Sequence, residues 1–190
     1  HAVEMRLALA PELFEDLLLD NPLAAYVVEL PPGSPDFPVR PDNPLTNAGV
    51  QLGRWLFYDP ILSGNNTMSC ASCHVQTKAF TDGKRFSPGI HGKNVGKNAM
   101  SLVNLAWGRN FFWDGRAARL EEQAVMPMKN AKELDLPIPA LIEKLERHPV
   151  YPNMFGLAFG DTAITEERIG KAIAQFVNTI VSFHSPRDEI

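Results

Sequence analysis

The most constraining feature of this sequence is the run CASCH at residues 70–74. Two thiols three positions apart, followed at once by a histidine, form the attachment pattern of c-type haem. Each thiol can form a thioether bond to one vinyl group of the same haem, and the adjacent imidazole then lies under the iron as its proximal ligand. The run predicts one covalent haem c per chain, bound by Cys70, Cys73 and His74.

Other uses of a Cys-x-x-Cys pair fit this chain less well. A structural zinc site usually needs four ligands from two such pairs, and the chain has only two cysteines. A thioredoxin-like redox motif belongs in a βαβ unit, and no alternating β pattern surrounds these residues. A disulfide between the two cysteines is open, but it leaves His74 without a role. Haem c is therefore the favoured interpretation, with zinc or redox use as the alternatives.

Composition and charge limit the class of protein. A chain of 190 residues with 45% hydrophobic residues can bury the core of one large domain. No apolar run approaches the ~20 residues that a membrane span needs. The net charge of −4 argues against a nucleic-acid partner and is compatible with docking a basic electron-transfer protein.

The expected compartment follows from the haem motif. Haem c is normally attached after export, and the sequence starts at His1 without an initiator methionine or a signal peptide. We therefore expect a mature, processed or trimmed chain of the bacterial periplasm.

Hydrophobic periodicity and helix-capping residues predict a mainly α fold. Together with the haem c motif, this indicates a cytochrome c-like haem domain with long loops and extra helices. No convincing strand pattern is present. The predicted helices run from the cap Thr46 to Asp59, from about residue 120 to Met126 before Pro127, over residues 138–147, and from about Glu166 to Phe183 with Thr165 as cap.

The remaining segments suggest two parts. Residues 11–28 are expected to contain a short helix, and the proline-rich residues 31–44 an extended surface connection. Residues 82–96, rich in glycine and polar residues, are expected to form a loop. The predicted organisation is an N-terminal extension over residues 1–45 and a haem domain over residues 46–190.

Several motifs in one order resemble the bacterial di-haem cytochrome c peroxidases and the related MauG-type enzymes. They are GRWLFYD at 53–59, LS at 62–63, CASCH at 70–74, KNAMSLVN at 97–104, FWDGRA at 112–117 and LEEQ at 120–123, followed by Pro127, Asn130 and Glu133. The similarity covers roughly residues 47–188. It implies reduction of hydrogen peroxide to water with electrons from a small cytochrome c or a cupredoxin.

The resemblance also assigns catalytic roles. Glu133 matches the distal carboxylate that acts as acid–base catalyst, and Gln123 lies on the same side. Trp113 matches the tryptophan between the two haems that conducts electrons. A carboxylate in a largely apolar haem pocket has its pKa raised toward neutrality, so it can both accept and donate a proton. Without the resemblance, Glu133 would be taken for an ordinary solvated residue.

Three more residues are candidate metal ligands. His91 lies in the loop where the family often places a distal histidine, and we expect it to be a removable sixth ligand of the haem iron. Met100 is the second candidate for that position. Asn98 matches a residue near an interdomain calcium site, which one asparagine cannot complete.

The chain also departs from the family, because it has no second Cys-x-x-Cys-His. It therefore resembles the N-terminal, peroxidatic half alone. The alternatives to a peroxidase are a mono-haem electron-transfer cytochrome whose sixth iron position is permanently filled, and a half enzyme that is inactive without its second haem domain. A homodimer or a second haem domain is a possible partner.

Overall fold

The structure, a computed structural model, describes residues 21–183. Within this range the regular structure is helical, and the β pairing is limited to isolated bridges. The α-helices are α1 (Asn47–Tyr58), α2 (Cys70–Cys73), α3 (Leu120–Lys129), α4 (Ile138–Arg147), α5 (Tyr151–Phe159) and α6 (Glu166–Asn178), and three short 3-10 helices lie at Pro60–Leu62, Gln76–Lys78 and Leu105–Trp107. The predicted mainly α class is confirmed.

Helix α1 begins and ends as its sequence predicts. The Thr46 side chain accepts a hydrogen bond from the Gly49 N–H at 3.0 Å and so caps the helix. Leu52, Leu56 and neighbouring apolar side chains are buried on one face. Asp59 ends the helix, and its carboxylate accepts hydrogen bonds from the Ile61 N–H at 2.8 Å and the Tyr151 O–H at 2.6 Å.

Helix α6 lies at the centre of the domain and packs against α1 and α3. It ends at Asn178, five residues before the predicted end. Tertiary contacts explain the difference, because the following segment hydrogen-bonds to a neighbouring loop. The Asn104 N–H donates to the Ile180 carbonyl at 2.9 Å, and the Ser182 N–H donates to the Asn104 side chain at 2.8 Å.

Two further predictions need correction. Helix α3 continues past Pro127 to Lys129, and this last part-turn places Met128 in the core, fully buried. Residues 21–28 are not helical, and the rest of the helix predicted at 11–28 lies outside the described residues.

Helix α5 was not predicted. Its sequence, YPNMFGLAF, is apolar on most sides and gives no clean stripe. The signals that could have found it are Pro152 near the start and Gly160 after the end, where φ is +88°.

A buried polar cluster attaches the end of the proline-rich segment to the helices. The Asn43 side chain donates to Glu121 at 3.0 Å and accepts from Gln175 at 3.0 Å. Gln175 also accepts from the Thr46 N–H at 3.0 Å. These contacts fix the entry of the chain into α1. The division at residues 45 and 46 stays a prediction, with Asn43 on its N-terminal side buried against α3 and α6.

Candidate haem site

The two cysteines lie on α2, a single turn whose local hydrogen bonds orient them. The Ser69 N–H donates to the Ser72 hydroxyl at 3.0 Å, and the His74 N–H closes the turn on the Cys70 carbonyl at 2.9 Å. Both thiols are free. Burial raises the pKa of Cys70 to about 12 and that of Cys73 to about 11, so both are neutral thiols at neutral pH.

His74 is oriented by a main-chain carbonyl. Its Nδ1 lies 2.8 Å from the Phe80 oxygen. Because a carbonyl can only accept, Nδ1 carries the proton and Nε2 is left with the lone pair that binds a metal. Burial lowers the pKa of His74, which favours the neutral imidazole that ligation requires.

The turn that presents this carbonyl is unusual. Ala79 and Phe80 have φ of +53° and +56°, a conformation that L-residues rarely adopt. Side-chain hydroxyls hold the turn in place. Ser101 donates to the Ala79 carbonyl at 2.7 Å, and Thr81 donates to the Ala99 carbonyl at 2.7 Å. No sequence signal pointed to Phe80, because its contribution is a backbone atom.

Cys70, Cys73 and His74 line a cavity of about 440 Å³. This volume falls in the range of roughly 300–1,000 Å³ that is typical of cofactor sites. Much of the lining is apolar, including Phe57, Leu102, Phe111, Ile173 and Val177. Two thiols that can attach the porphyrin and one neutral imidazole that can bind its iron lie at the edge of an apolar cavity, so the residues present fit haem c.

Glu133 lines the same cavity and is held at both ends. Its carboxylate accepts a hydrogen bond from the Asn130 side chain at 2.7 Å, and its carbonyl accepts one from the Ile90 N–H at 2.8 Å. Burial raises the pKa of Glu133, while the Asn130 hydrogen bond and the charge of Arg116 oppose the rise. Asn130 belongs to the motif series, but its contact with Glu133 was not predicted.

Gln123 and Trp113 also line the cavity. Trp113 lies at the surface, with 57% of the residue exposed, and its indole N–H donates to the Asn98 carbonyl at 3.3 Å. Arg116 is paired with Asp114 at 2.8 Å and lies 3.5 Å from the centre of the Phe112 ring. The structure therefore brings Glu133, Gln123 and Trp113 to one cavity.

The candidate sixth ligands occupy different places. Met100 lines the cavity, as does Asn98, whereas His91 does not. The His91 ring lies 2.8 Å from the Asp135 carboxylate, with 54% of the side chain exposed. Ligation of the iron by His91 therefore requires this pair to separate.

Comparisons with known proteins agree on one family. The family model for di-haem cytochrome c peroxidases matches residues 47–190. The methylamine utilization protein MauG of Methylophilus methylotrophus is 37% identical over 169 residues, which are 86% of this chain and 50% of that protein. The cytochrome c551 peroxidase of Nitrosomonas europaea is 36% identical over 155 residues, covering 80% of this chain and 46% of that protein.

Solved structures give the same result. A MauG-like protein associated with microbial copper homeostasis aligns with a TM-score of 0.77 at 33% identity, covering 87% of this chain and 49% of that chain. The diheme peroxidase BthA from Burkholderia thailandensis aligns with a TM-score of 0.61 at 26% identity, covering 83% and 43%. The chain thus spans about half the length of these relatives. None of the helices between residues 21 and 183 has the length and apolarity to span a membrane.

Proposed function

Because the chain belongs to the family of di-haem cytochrome c peroxidases, we propose that it is the haem c domain that reduces hydrogen peroxide to water. A small redox protein supplies the two electrons, and solvent supplies the two protons. The observation that carries the proposal is the shared cavity, lined by Cys70, Cys73, His74 and Glu133. A haem motif alone suits any cytochrome, whereas a carboxyl group in the same cavity suits cleavage of peroxide.

Three residues would hold the haem. Cys70 and Cys73 would form the thioethers, and Nε2 of His74 would be the proximal ligand, with the ring fixed by the Phe80 carbonyl. When bound, haem c supplies an iron that binds peroxide and exchanges electrons, which no side chain can do.

Glu133 moves the protons. As a carboxylate it accepts the proton that peroxide loses from one oxygen, and it then returns this proton to the other oxygen, which leaves as water. Burial raises the pKa of Glu133 above its ordinary value, and a more basic carboxylate accepts a proton from peroxide more readily. Gln123 lies on the same cavity and can hydrogen-bond to peroxide, and Trp113 offers an aromatic path between the cavity and the surface.

A mono-haem electron-transfer cytochrome is the second candidate function. Met100 lines the cavity, and a thioether bound permanently to the iron would prevent peroxide from binding. In that case Glu133 would have no chemical role.

Mass and peroxide stoichiometry test the proposal. We expect the haem-loaded chain to exceed the polypeptide mass by one haem, and the reduced protein to consume peroxide rapidly with loss of its stored electrons. A measured mass equal to that of the polypeptide alone would contradict the haem assignment. If the absorption spectrum indicates a six-coordinate haem iron in both oxidation states and does not change when peroxide is added, the electron-transfer cytochrome is favoured.

The role of His91 as a removable sixth ligand is part of the proposal. Its support is the loop itself, since Gly89 and Pro88 line the cavity two and three positions before His91. We expect His91→Gly to convert a low-spin ferric spectrum to a high-spin one in electron paramagnetic resonance. Asp135→Asn is the matched control: it weakens the competing pair, and asparagine tolerates the local φ of +47°. It should retain the low-spin signal. Identical spectra for His91→Gly and the parent protein would exclude His91.

Three finer assignments complete the proposal. Attachment of haem c supports a periplasmic location. Calcium at Asn98 rests on the family resemblance, and a homodimer or a second haem domain is the expected structural partner.

A further inference from the structure

Residues 78–97, here called the basic loop, reverse the charge of the rest of the chain. They carry five cationic side chains and one carboxylate, so their net charge is +4, whereas the whole chain carries −4. Lys84, Arg85 and Lys93 are exposed. Within the described residues, none of these three has a carboxylate at ion-pair distance. Their charge is therefore directed to solvent.

The basic loop has a defined shape. Buried Ser87 organises it, because its hydroxyl accepts from the Ala99 N–H at 3.0 Å, its N–H donates to the Lys97 carbonyl at 3.0 Å, and its carbonyl accepts from the Val95 N–H at 3.0 Å. Gly89 lies so close to the next segment that a Cβ there would be 1.7 Å from the Lys132 carbonyl oxygen. A surface fixed in this way loses little entropy when a partner binds.

The inner side of the basic loop belongs to the haem site. Ser87, Pro88 and Val95 line the cavity, and the Pro88 carbonyl lies 3.8 Å from the Cys73 sulfur. The backbone of the basic loop therefore contacts the haem-binding thiol directly.

The outer side also presents an aromatic residue. Phe86 is 40% exposed, and the Arg85 guanidinium lies 5.2 Å from the centre of its ring. Aromatic and arginine side chains are enriched at protein interfaces, with polar groups around them. Phe86, beside Arg85 and close to Lys84 in the chain, matches that composition.

We propose that the basic loop is the docking surface for a small redox protein with an acidic face, which passes electrons into the cavity at its Cys73 edge. The partner loses one electron per encounter and the haem site gains it, with no bond made or broken. This inference rests on the proposed function for the use of those electrons. The net charge of the whole chain is compatible with a basic partner. The surface beside the cavity is basic, however, and it therefore selects an acidic partner.

Electron exchange with small charged complexes tests the surface without peroxide. The dithionite-reduced, haem-loaded chain is oxidised in a stopped-flow instrument by anionic ferricyanide or by the cationic tris(phenanthroline)cobalt(III). In Lys84→Glu/Lys93→Glu we expect the ferricyanide rate to fall by about tenfold at low salt and the cobalt rate to rise. Both differences should vanish in high salt. If the substitutions instead changed the reduction potential of the haem, the ferricyanide rate and the cobalt rate would both rise or both fall.

The matched control is Arg54→Glu/Arg147→Glu, which changes net charge equally at exposed sites outside the basic loop. It should leave both rates within about twofold of the parent. Equal effects in the two variants would mean that only net charge matters and would overturn the proposal.

Direct binding completes the test. Plastocyanin, an acidic cupredoxin, should bind the parent chain in calorimetry at low salt and should not bind Lys84→Glu/Lys93→Glu. Salt-sensitive self-association that requires Lys84 and Lys93, without plastocyanin binding, would assign the surface to a second copy of this chain and overturn the redox-partner proposal. If the peroxide reaction fails while these results hold, the proposed function is wrong and the docking surface stands.

Discussion

Replacing Glu133 by Gln is expected to slow peroxide reduction by about 10²–10⁴-fold while the haem spectrum is retained. Glutamine has nearly the same shape and can still accept the hydrogen bond from Asn130, so the cavity is preserved. It cannot take a proton from peroxide near neutral pH, so the step that depends on Glu133 is lost. Stopped-flow measurement of peroxide consumption gives the rate.

A measurement of stability distinguishes the loss of the catalytic group in Glu133→Gln from misfolding of the variant. Because burial raises the pKa of Glu133 in the folded protein, the charged form is disfavoured by folding, and above that pKa the carboxylate destabilises the protein. At neutral pH, Glu133→Gln should therefore unfold at the same urea concentration as the parent or a higher one. Glu122→Gln, at an exposed position on α3, is the control and should retain the parent rate. A Glu133→Gln variant with the parent rate would remove Glu133 from the mechanism.

The same pKa shift fixes the direction of the pH profile. The base form of Glu133 is needed to accept the first proton, so the rate should fall as pH decreases through the raised pKa, above the usual value of 4.5. Asn130→Ala removes a hydrogen bond that lowers this pKa, so it should move the acid limb to still higher pH. An acid limb at the ordinary glutamate value in both proteins would contradict the assignment.

The site could be predicted from sequence where its chemistry is local. Cys70, Cys73 and His74 are adjacent in the chain, and one helical turn is enough to orient them. Glu133, Gln123 and Trp113 could be named only through the family resemblance, because the cavity that unites them is formed by tertiary packing. The pairing of His91 with Asp135 joins residues 44 positions apart and leaves no local signal.

The same distinction applies to the helices. Helix α1 was predicted closely because Thr46, an apolar stripe and Asp59-Pro60 all lie within its own sequence. The end of α6 was predicted too late because Asn104, far away in the chain, hydrogen-bonds to the segment that would have continued the helix. Local propensity cannot register such a competing contact.

Replacing Gly53 by Ala is expected to lower the free energy of unfolding by about 3 kcal/mol. A Cβ at this position would lie 1.9 Å from the Ala172 carbonyl oxygen and 2.6 Å from its carbon. These are backbone atoms of α6, so no side-chain rotation can relieve the clash, and α1 and α6 must move apart. Phe57, Ile173 and Val177 line the cavity from these two helices, so the haem absorption bands should shift as well. Urea unfolding followed by circular dichroism measures the loss.

Gly156→Ala is the matched control, because it makes the same change inside another helix. The new Cβ would be 3.5 Å from the Thr162 methyl group, an ordinary contact. Alanine is favoured over glycine in a helix interior by roughly 0.5–1 kcal/mol, so this variant should be as stable as the parent or more stable. Gly53→Ala should lower the free energy of unfolding, whereas Gly156→Ala should leave it unchanged or raise it. This difference separates the effect of the close approach of α1 and α6 from the general effect of replacing a glycine in a helix. If Gly53→Ala were as stable as Gly156→Ala, then α1 and α6 would not cross as closely as the packing at Ala172 requires.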